Sequence, residues 1–316
     1  MLAASLKEIS KNNTMPHDNT FDVIIVGGSY SGLSAAMALG RALKKVLVID
    51  SNKPCNRRTP HSHNFLTNDG KTPAEIAALA NLQVRKYKTI KFFNGLATGG
   101  IKTIIGFEIE AVSGETFTAK KLIFATGVRD IMPDIDGFEA CWGISVLHCP
   151  YCHGYEVRHE KTGILSNGES GFDLATLISN WTNDLSLFTN GASALTADQT
   201  EKLKKHHIKI VEKEVEKLEH TNGYLKNIIF RDGTATAIKT IYSHVSFKQH
   251  SEIPESLGCE LTDEGYIKMD PFHETSVKDV FACGDNVTRM RTVANAVGMG
   301  TMAGMIVSRK MIFEEF

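Results

Sequence analysis

The 316-residue chain has no surplus of charge: 35 Lys and Arg stand against 36 Asp and Glu. Such a balance offers no general field to nucleic acid or to an anionic membrane, so neither is expected as a partner, and any phosphate must be held by a local site. No apolar run is long enough to span a bilayer. The first 20 residues carry Lys7, Glu8, Lys11 and Asp18 in place of a signal-type apolar segment. Cysteine is sparse. Cys55, Cys141, Cys259 and Cys283 are scattered, and only Cys149 and Cys152 stand at motif spacing. This excludes a disulfide scaffold and makes a reducing cytoplasm the expected compartment. With 42% hydrophobic residues the chain can bury large cores, enough for two domains.

Residues 1–20, rich in Asn, Lys and Ser, read as a loosely held arm. Phe21 to Val26, "FDVIIV", is a short run of strand formers of the kind buried on both faces of a parallel sheet. A helical stripe follows from Ser31 to Leu43, then a second strand, "KVLVID", from Lys45 to Asp50. The intervening turn, "GGSYSG", is the dinucleotide fingerprint with Ser29 at its middle glycine position, between Gly27 and Gly32. The fold class is therefore α/β. Such a turn brings backbone amides at a helix N-terminus up to a pyrophosphate, and Asp50, 23 residues after Gly27, stands where a carboxylate accepts ribose hydroxyls.

Near the C-terminus, Val280 to Ala282 is a short strand, and Cys283-Gly284-Asp285-Asn286 is a turn bearing one carboxylate. A helix rich in Ala and Gly is expected from Thr292 to Met305, where small residues permit close backbone approach. Between these ends lies "HCPYCHGY", residues 148–155, with Cys149 and Cys152 flanked by His148 and His153. Thiol-disulfide exchange needs an attacking thiolate, a second sulfur to resolve the mixed disulfide, and a base, and either histidine can serve as that base. A zinc site and a purely structural disulfide are the alternatives. Against zinc, each histidine directly adjoins a cysteine, whereas structural sites draw their second ligand pair from a distant segment, so no metal is expected.

"VIIVGGSYSGLSAA", "LIFATGVRD", "HCPYCHGYE" and "VFACGDN" resemble, in order and spacing, the low-molecular-weight thioredoxin reductases and their relatives, from Phe21 onward. The resemblance implies two Rossmann-like, three-layer domains. A discontinuous FAD domain would span residues 21–127 and 246–316, and a CxxC-bearing NAD(P)-type domain residues 128–245, with hinges near Val128 to Ile131 and Ser243 to Phe247. It implies FAD held at Gly27, Ser29, Gly32 and Asp50, with Thr126 and Gly127 at the exit of the "LIFATG" strand. Gly284 and Asp285 would lie at the ribityl chain, and the helix start at Thr292 and Val293 at the flavin edge. It further implies a homodimer, with Cys152 facing the flavin and Cys149 exchanging with substrate.

The chain departs from that family at the second nucleotide loop, Ser166-Asn167-Gly168-Glu169-Ser170-Gly171. A serine there replaces the first glycine, and Glu169 is expected near the phosphates. The following strand, Leu185 to Gly191, ends without the arginine pair that selects NADPH, so that site is weakened without being abolished. Together with "HSHNFLTNDGKTP", residues 61–73, the CxxC segment resembles the gliotoxin- and holomycin-type dithiol oxidases. In these the electrons pass from a substrate dithiol to oxygen, and His61 and His63 would lie near the flavin. Three functions follow: a thioredoxin reductase-like enzyme acting on a thioredoxin-like protein or small disulfide, an oxygen-dependent dithiol oxidase, and a redox-sensing flavoprotein.

Overall fold

The computed structural model describes residues 19–316, so the expected arm lies outside the described residues up to position 18. Asn19 and Thr20 already belong to the sheet: the Asn19 carbonyl accepts from Thr118, and β1 (Thr20–Val26) begins one residue earlier than the apolar run. After helix α1 (Tyr30–Arg41) come β2 (Val46–Asp50) and helix α2 (Pro73–Val84). Thr72 and Glu75 form a capping box at the start of α2, with Pro73 at the first helical position.

Four more strands, β3 (Ile90–Asn94), β4 (Ala97–Thr103), β5 (Gly106–Ala111) and β6 (Thr116–Phe124), give the order β3-β2-β1-β6-β5-β4. β1, β2, β3 and β6 run parallel, and β4 and β5 are antiparallel additions. The chain then crosses by β7 (Val128–Ile131) to α3 (Phe138–Cys141), β8 (Val146–Leu147), the one-turn helix α4 (Pro150–His153), β9 (Thr162–Leu165), α5 (Gly168–Ile178) and β10 (Leu185–Phe188). Next come α6 (Ala197–Lys205), β11 (Lys209–Val211), β12 (Val215–Thr221), β13 (Tyr224–Phe230), β14 (Ala235–Ala237) and β15 (Thr240–Tyr242). These make a parallel sheet, β11-β10-β9-β15-β8, and an antiparallel one, β12-β13-β14. The return strand β16 (Ser246–Gln249) pairs antiparallel with β7, so the two crossings form one ribbon. After α7 (Ile253–Ser256), β17 (Val280–Ala282) joins the first sheet beside β6, and α8 (Val293–Glu315) closes the chain.

The apolar runs of the first sheet are buried on both faces. Along β1, Ile24 and Val26 enter one core while Val23 and Ile25 enter the other; along β17, Val280 and Ala282 oppose Phe281 and Cys283 in the same way. This two-fold alternation is what a central strand between two layers requires. The second core contains Leu33, Ala36 and Leu39 of α1 and Ala303, Val307 and Met311 of α8. α8 runs ten residues beyond the expected end at Met305, because "IVSRKMIFEE" holds no Gly or Pro and continues the buried stripe.

Close approach of α1 to α8 rests on missing side chains. A Cβ at Gly300 would stand 2.0 Å from the Ser31 carbonyl oxygen, and one at Gly304 2.5 Å from that of Ala35. Ser34 adds a bond from its Oγ to the Val297 carbonyl at 2.8 Å. Gly298 lies on the same helix with nothing near its missing Cβ. Gly300→Ala should therefore destabilise by about 1–3 kcal/mol through overpacking. Gly298→Ala should be neutral or stabilising by about 0.5–1 kcal/mol. Urea unfolding of the two variants measures the difference.

Candidate active site

The turn between β1 and α1 is built for close approach. Gly27 has φ +104°, and a Cβ there would stand 2.3 Å from the Ala125 carbonyl oxygen, while one at Gly32 would stand 1.8 Å from the Gly27 carbonyl. Gly28 matters equally, since its Cβ would press on that of Asp50 at 2.7 Å. That residue escaped the sequence reading, which assigned the turn to Gly27 and Gly32. Ser29 is the N-cap of α1 and makes no side-chain cap bond. Asp50 ends β2, partly exposed. A glycine turn, a helix N-terminus and an acid are thus brought together as the fingerprint requires.

β17 delivers the C-terminal residues to the same edge. Gly284 has φ +92°, and a Cβ there would meet Ser31 Oγ at 2.5 Å. Asn286 Nδ2 donates to the Phe124 carbonyl at 2.9 Å and to Thr126 Oγ1 at 3.4 Å, and Gly127 follows at φ +65° with open space at its missing Cβ. Burial raises the Asp285 pKa, and the Arg291 guanidinium, with Nε 3.7 Å from its Oδ2, opposes that rise. Thr292 caps α8 by accepting from the Asn295 amide, which leaves the first helical amides, at Val293 and Ala294, without intrahelical acceptors. Three buried polar atoms in this region lack partners among the described residues: Asn286 Oδ1, Arg291 Nε and Gln249 Oε1. Orphaned buried groups of this kind are expected where a polar ligand completes the site.

Cys149 and Cys152 are joined as a disulfide with Cα atoms 5.3 Å apart. Cys149 is the N-cap of α4, and Pro150 starts the helix. Gly154 lets the Trp181 ring lie against α4, where a Cβ would be 2.8 Å from its Nε1, and Trp181 meets Tyr151 edge-on. His148 stacks on Trp142 at 5.7 Å. Burial, reinforced by the Arg291 charge, lowers its pKa to about 4. His153 is likewise lowered to about 4, by burial and then by the neighbouring His63. Both imidazoles are therefore neutral at pH 7. A thiolate formed when the disulfide opens supplies the negative charge that favours protonation of a neighbouring imidazole, so proton transfer is coupled to reduction of the pair.

The loop after β2 divides its two histidines. His63 reaches the CxxC segment, with Nδ1 3.6 Å from Glu156 Oε1 and 3.7 Å from Asp69 Oδ1. His61 is exposed and bonds within its own loop, to the Gly70 carbonyl.

The second nucleotide loop is occupied by the chain itself. Asn167 Oδ1 accepts from the amides of Gly168 and Ala194, both at 2.8 Å, and its Nδ2 donates to the carbonyls of Ala192 and Thr189 at 2.9 and 3.3 Å. One side chain thus ties the loop after β9 to the loop after β10, and it satisfies the first amide of α5. Glu169, expected near phosphates, instead accepts from Gln199 on α6.

The structure also joins residues that sequence reasoning passed over. Asp130 on β7 accepts from Arg291 and from Trp142 Nε1. Asp130 stands in the expected hinge and Arg291 next to the expected helix start, but nothing in either local sequence signals that they pair.

Cys149→Ser or Cys152→Ser should lower dithiol turnover by about three orders of magnitude or more while flavin stoichiometry is kept, as steady-state assays and absorbance measure. The lowered histidine values give a stability prediction. The native state holds both imidazoles neutral, so below the ordinary value of 6.5 the unfolded chain takes up protons first. Their contribution is full above about pH 6.5 and is lost as pH falls toward about 4. Urea midpoints across that window should fall less steeply for His148→Gln than for the parent.

The model of the pyridine nucleotide-disulphide oxidoreductase family matches residues 21–300. The chain is 33% identical to thioredoxin reductase tcpT of Claviceps purpurea, over 94% of this chain and 96% of that protein. Among solved structures it is similar to an oxidoreductase from Agrobacterium tumefaciens, with TM-score 0.87, 37% identity and coverage of 93% and 99% of the two chains. It is also similar to HlmI, with TM-score 0.89, 30% identity and 95% coverage of each. Among the described residues no helix is long and apolar enough to cross a membrane. The chain belongs to the pyridine nucleotide-disulphide oxidoreductases and is a thioredoxin reductase-like, FAD-dependent disulfide oxidoreductase.

Proposed function

We propose that the protein is a dithiol oxidase within this family, taking electrons from a substrate dithiol and delivering them to oxygen. The observation that carries this reading is the Asn167 side chain. It spans the crevice between the loops after β9 and β10, and it occupies the first of the α5 amides that a dinucleotide phosphate would use. With the Glu169 carboxylate also in the first turn of α5, and Asn190-Gly191-Ala192 where an arginine pair would select NADPH, these residues weaken the fit to that cofactor.

The first site fits FAD: its glycine turn admits no Cβ and so keeps the tight strand-to-helix geometry of a dinucleotide fingerprint, and Asn286 Oδ1, Arg291 Nε and Gln249 Oε1 are buried without hydrogen-bond partners among the described residues. Gly27, Ser29 and Gly32 would hold the pyrophosphate, Asp50 the ribose, Thr126, Gly127, Gly284 and Asp285 the ribityl side, and the start of α8 at Thr292 and Val293 would meet the flavin edge. Bound FAD supplies a two-electron sink that oxygen can drain with release of hydrogen peroxide. The chain's own part is exchange. A substrate thiolate attacks Cys149, breaking its bond to Cys152, and the second substrate thiolate then displaces Cys149, which leaves a substrate disulfide and two cysteine thiols. His148 and His153 accept the thiol protons, and His63 sits behind His153.

The reading includes an FAD unit of residues 21–127 and 246–316, and a CxxC unit of residues 128–245, joined by the β7–β16 ribbon. It also includes a cytoplasmic homodimer, supported by the exposed Met305, Ile312 and Phe313 on α8. Reduction of a thioredoxin-like protein is the second reading, favoured by the name of the Claviceps relative. Anaerobic rapid mixing decides between them. A small dithiol should bleach the flavin, and oxygen should restore it with peroxide formed. Bleaching by NADPH at a rate fit for turnover would establish the reductase instead.

A further inference from the structure

Asp130 lies on the strand by which the chain crosses between the two sheets, and its side chain is only 10% exposed. Arg291, on the segment that leads into α8, meets it with two parallel bonds, Nη1 to Oδ1 at 2.7 Å and Nη2 to Oδ2 at 3.1 Å. Trp142, from the CxxC side, donates Nε1–H to the same Oδ2 at 3.1 Å. The indole is stacked with Phe138 at 5.8 Å and with His148 at 5.7 Å, and His148 adjoins Cys149. A single carboxylate thus connects the segment bearing Asp285 to the segment bearing the redox disulfide. Arg58 bridges the same seam by donating to the carbonyl and the carboxylate of Glu139 on α3, although that pair is exposed.

We propose that Asp130 is a positioning residue for the redox pair: by holding Arg291 and Trp142 together it keeps the His148–Cys149 segment turned toward the flavin side. The inference rests on the reading that Cys149 and Cys152 exchange electrons with FAD. A bidentate guanidinium–carboxylate contact fixes direction as well as distance, and its shielding from water makes separation costly unless both charges find new partners. The indole donor is spent on the carboxylate, so the stacked His148 ring inherits its orientation from Asp130.

The test uses the FAD-loaded protein and compares Asp130→Asn and Trp142→Phe with the parent. Trp142→Phe keeps an aromatic ring against His148 while removing the donor to Asp130 together with part of the indole surface, whereas Asp130→Asn leaves the indole intact. After chemical reduction of the disulfide, iodoacetamide should alkylate the cysteine pair about tenfold faster in both variants, the ratio expected from losing one charge-assisted hydrogen bond. Anaerobic bleaching by a small dithiol should slow while FAD stoichiometry is kept. Alkylation at the parent rate in the FAD-loaded Trp142→Phe variant would overturn the proposal, whatever Asp130→Asn does to folding. The alkylation comparison stands even if no dithiol bleaches the parent flavin, an outcome that would defeat the oxidase reading alone.

Discussion

A β-strand has two edges, yet β6 serves three neighbours, because its nine residues are enough to divide one edge. Thr116 to Ala119 pair with β5, Leu122 to Phe124 pair with β17, and β1 takes the other side. This arrangement draws a strand from residues 280–282 next to one from residues 20–26. It sets Gly284 against Ser31 and lets Asn286 bond the carbonyl that ends β6. Lys121, buried within β6, is held by Asp279 and Glu314, so the same strand anchors the approach to β17 and the end of α8. The meeting of the β1–α1 turn with the turn after β17 is a consequence of that sharing.

Electrostatics at the crossing follow from where the charges are taken out of water. Arg291 faces two carboxylates, Asp130 and Asp285, and satisfies the first fully while its Nε remains without a bonded partner near the second. Its charge reinforces burial in keeping His148 neutral. The Cys149–Cys152 pair is therefore flanked in sequence by two weakly basic imidazoles.

The two nucleotide-type loops of the chain show how one motif can be kept or weakened by a few atoms. In the first, absent side chains at Gly27, Gly28 and Gly32 let the turn pack tightly against Ala125, Asp50 and itself. In the second, one amide side chain at position 167 supplies two donors and accepts twice, which meets the needs of both flanking loops internally. A helix N-terminus attracts an anion only while its amides are unspent.

Much of this was legible in sequence. The short apolar runs at residues 21–26 and 280–282, the glycine turn, Asp50 and the CxxC are local patterns, and local patterns are set by backbone sterics and by side-chain periodicity, which neighbours in sequence fully specify. The end of α8 was misjudged because the stripe of small residues stopped before the helix did. Pairings across long separations were out of reach: Asp130 with Arg291, Trp142 with both the carboxylate and His148, Asn167 with residues 189–194, and His63 with Glu156. Sequence alone determined the α/β class, the glycine turn and the paired cysteines. Only the tertiary structure decided which charges meet and which loop is closed, because those contacts depend on directions in space that no local spacing encodes.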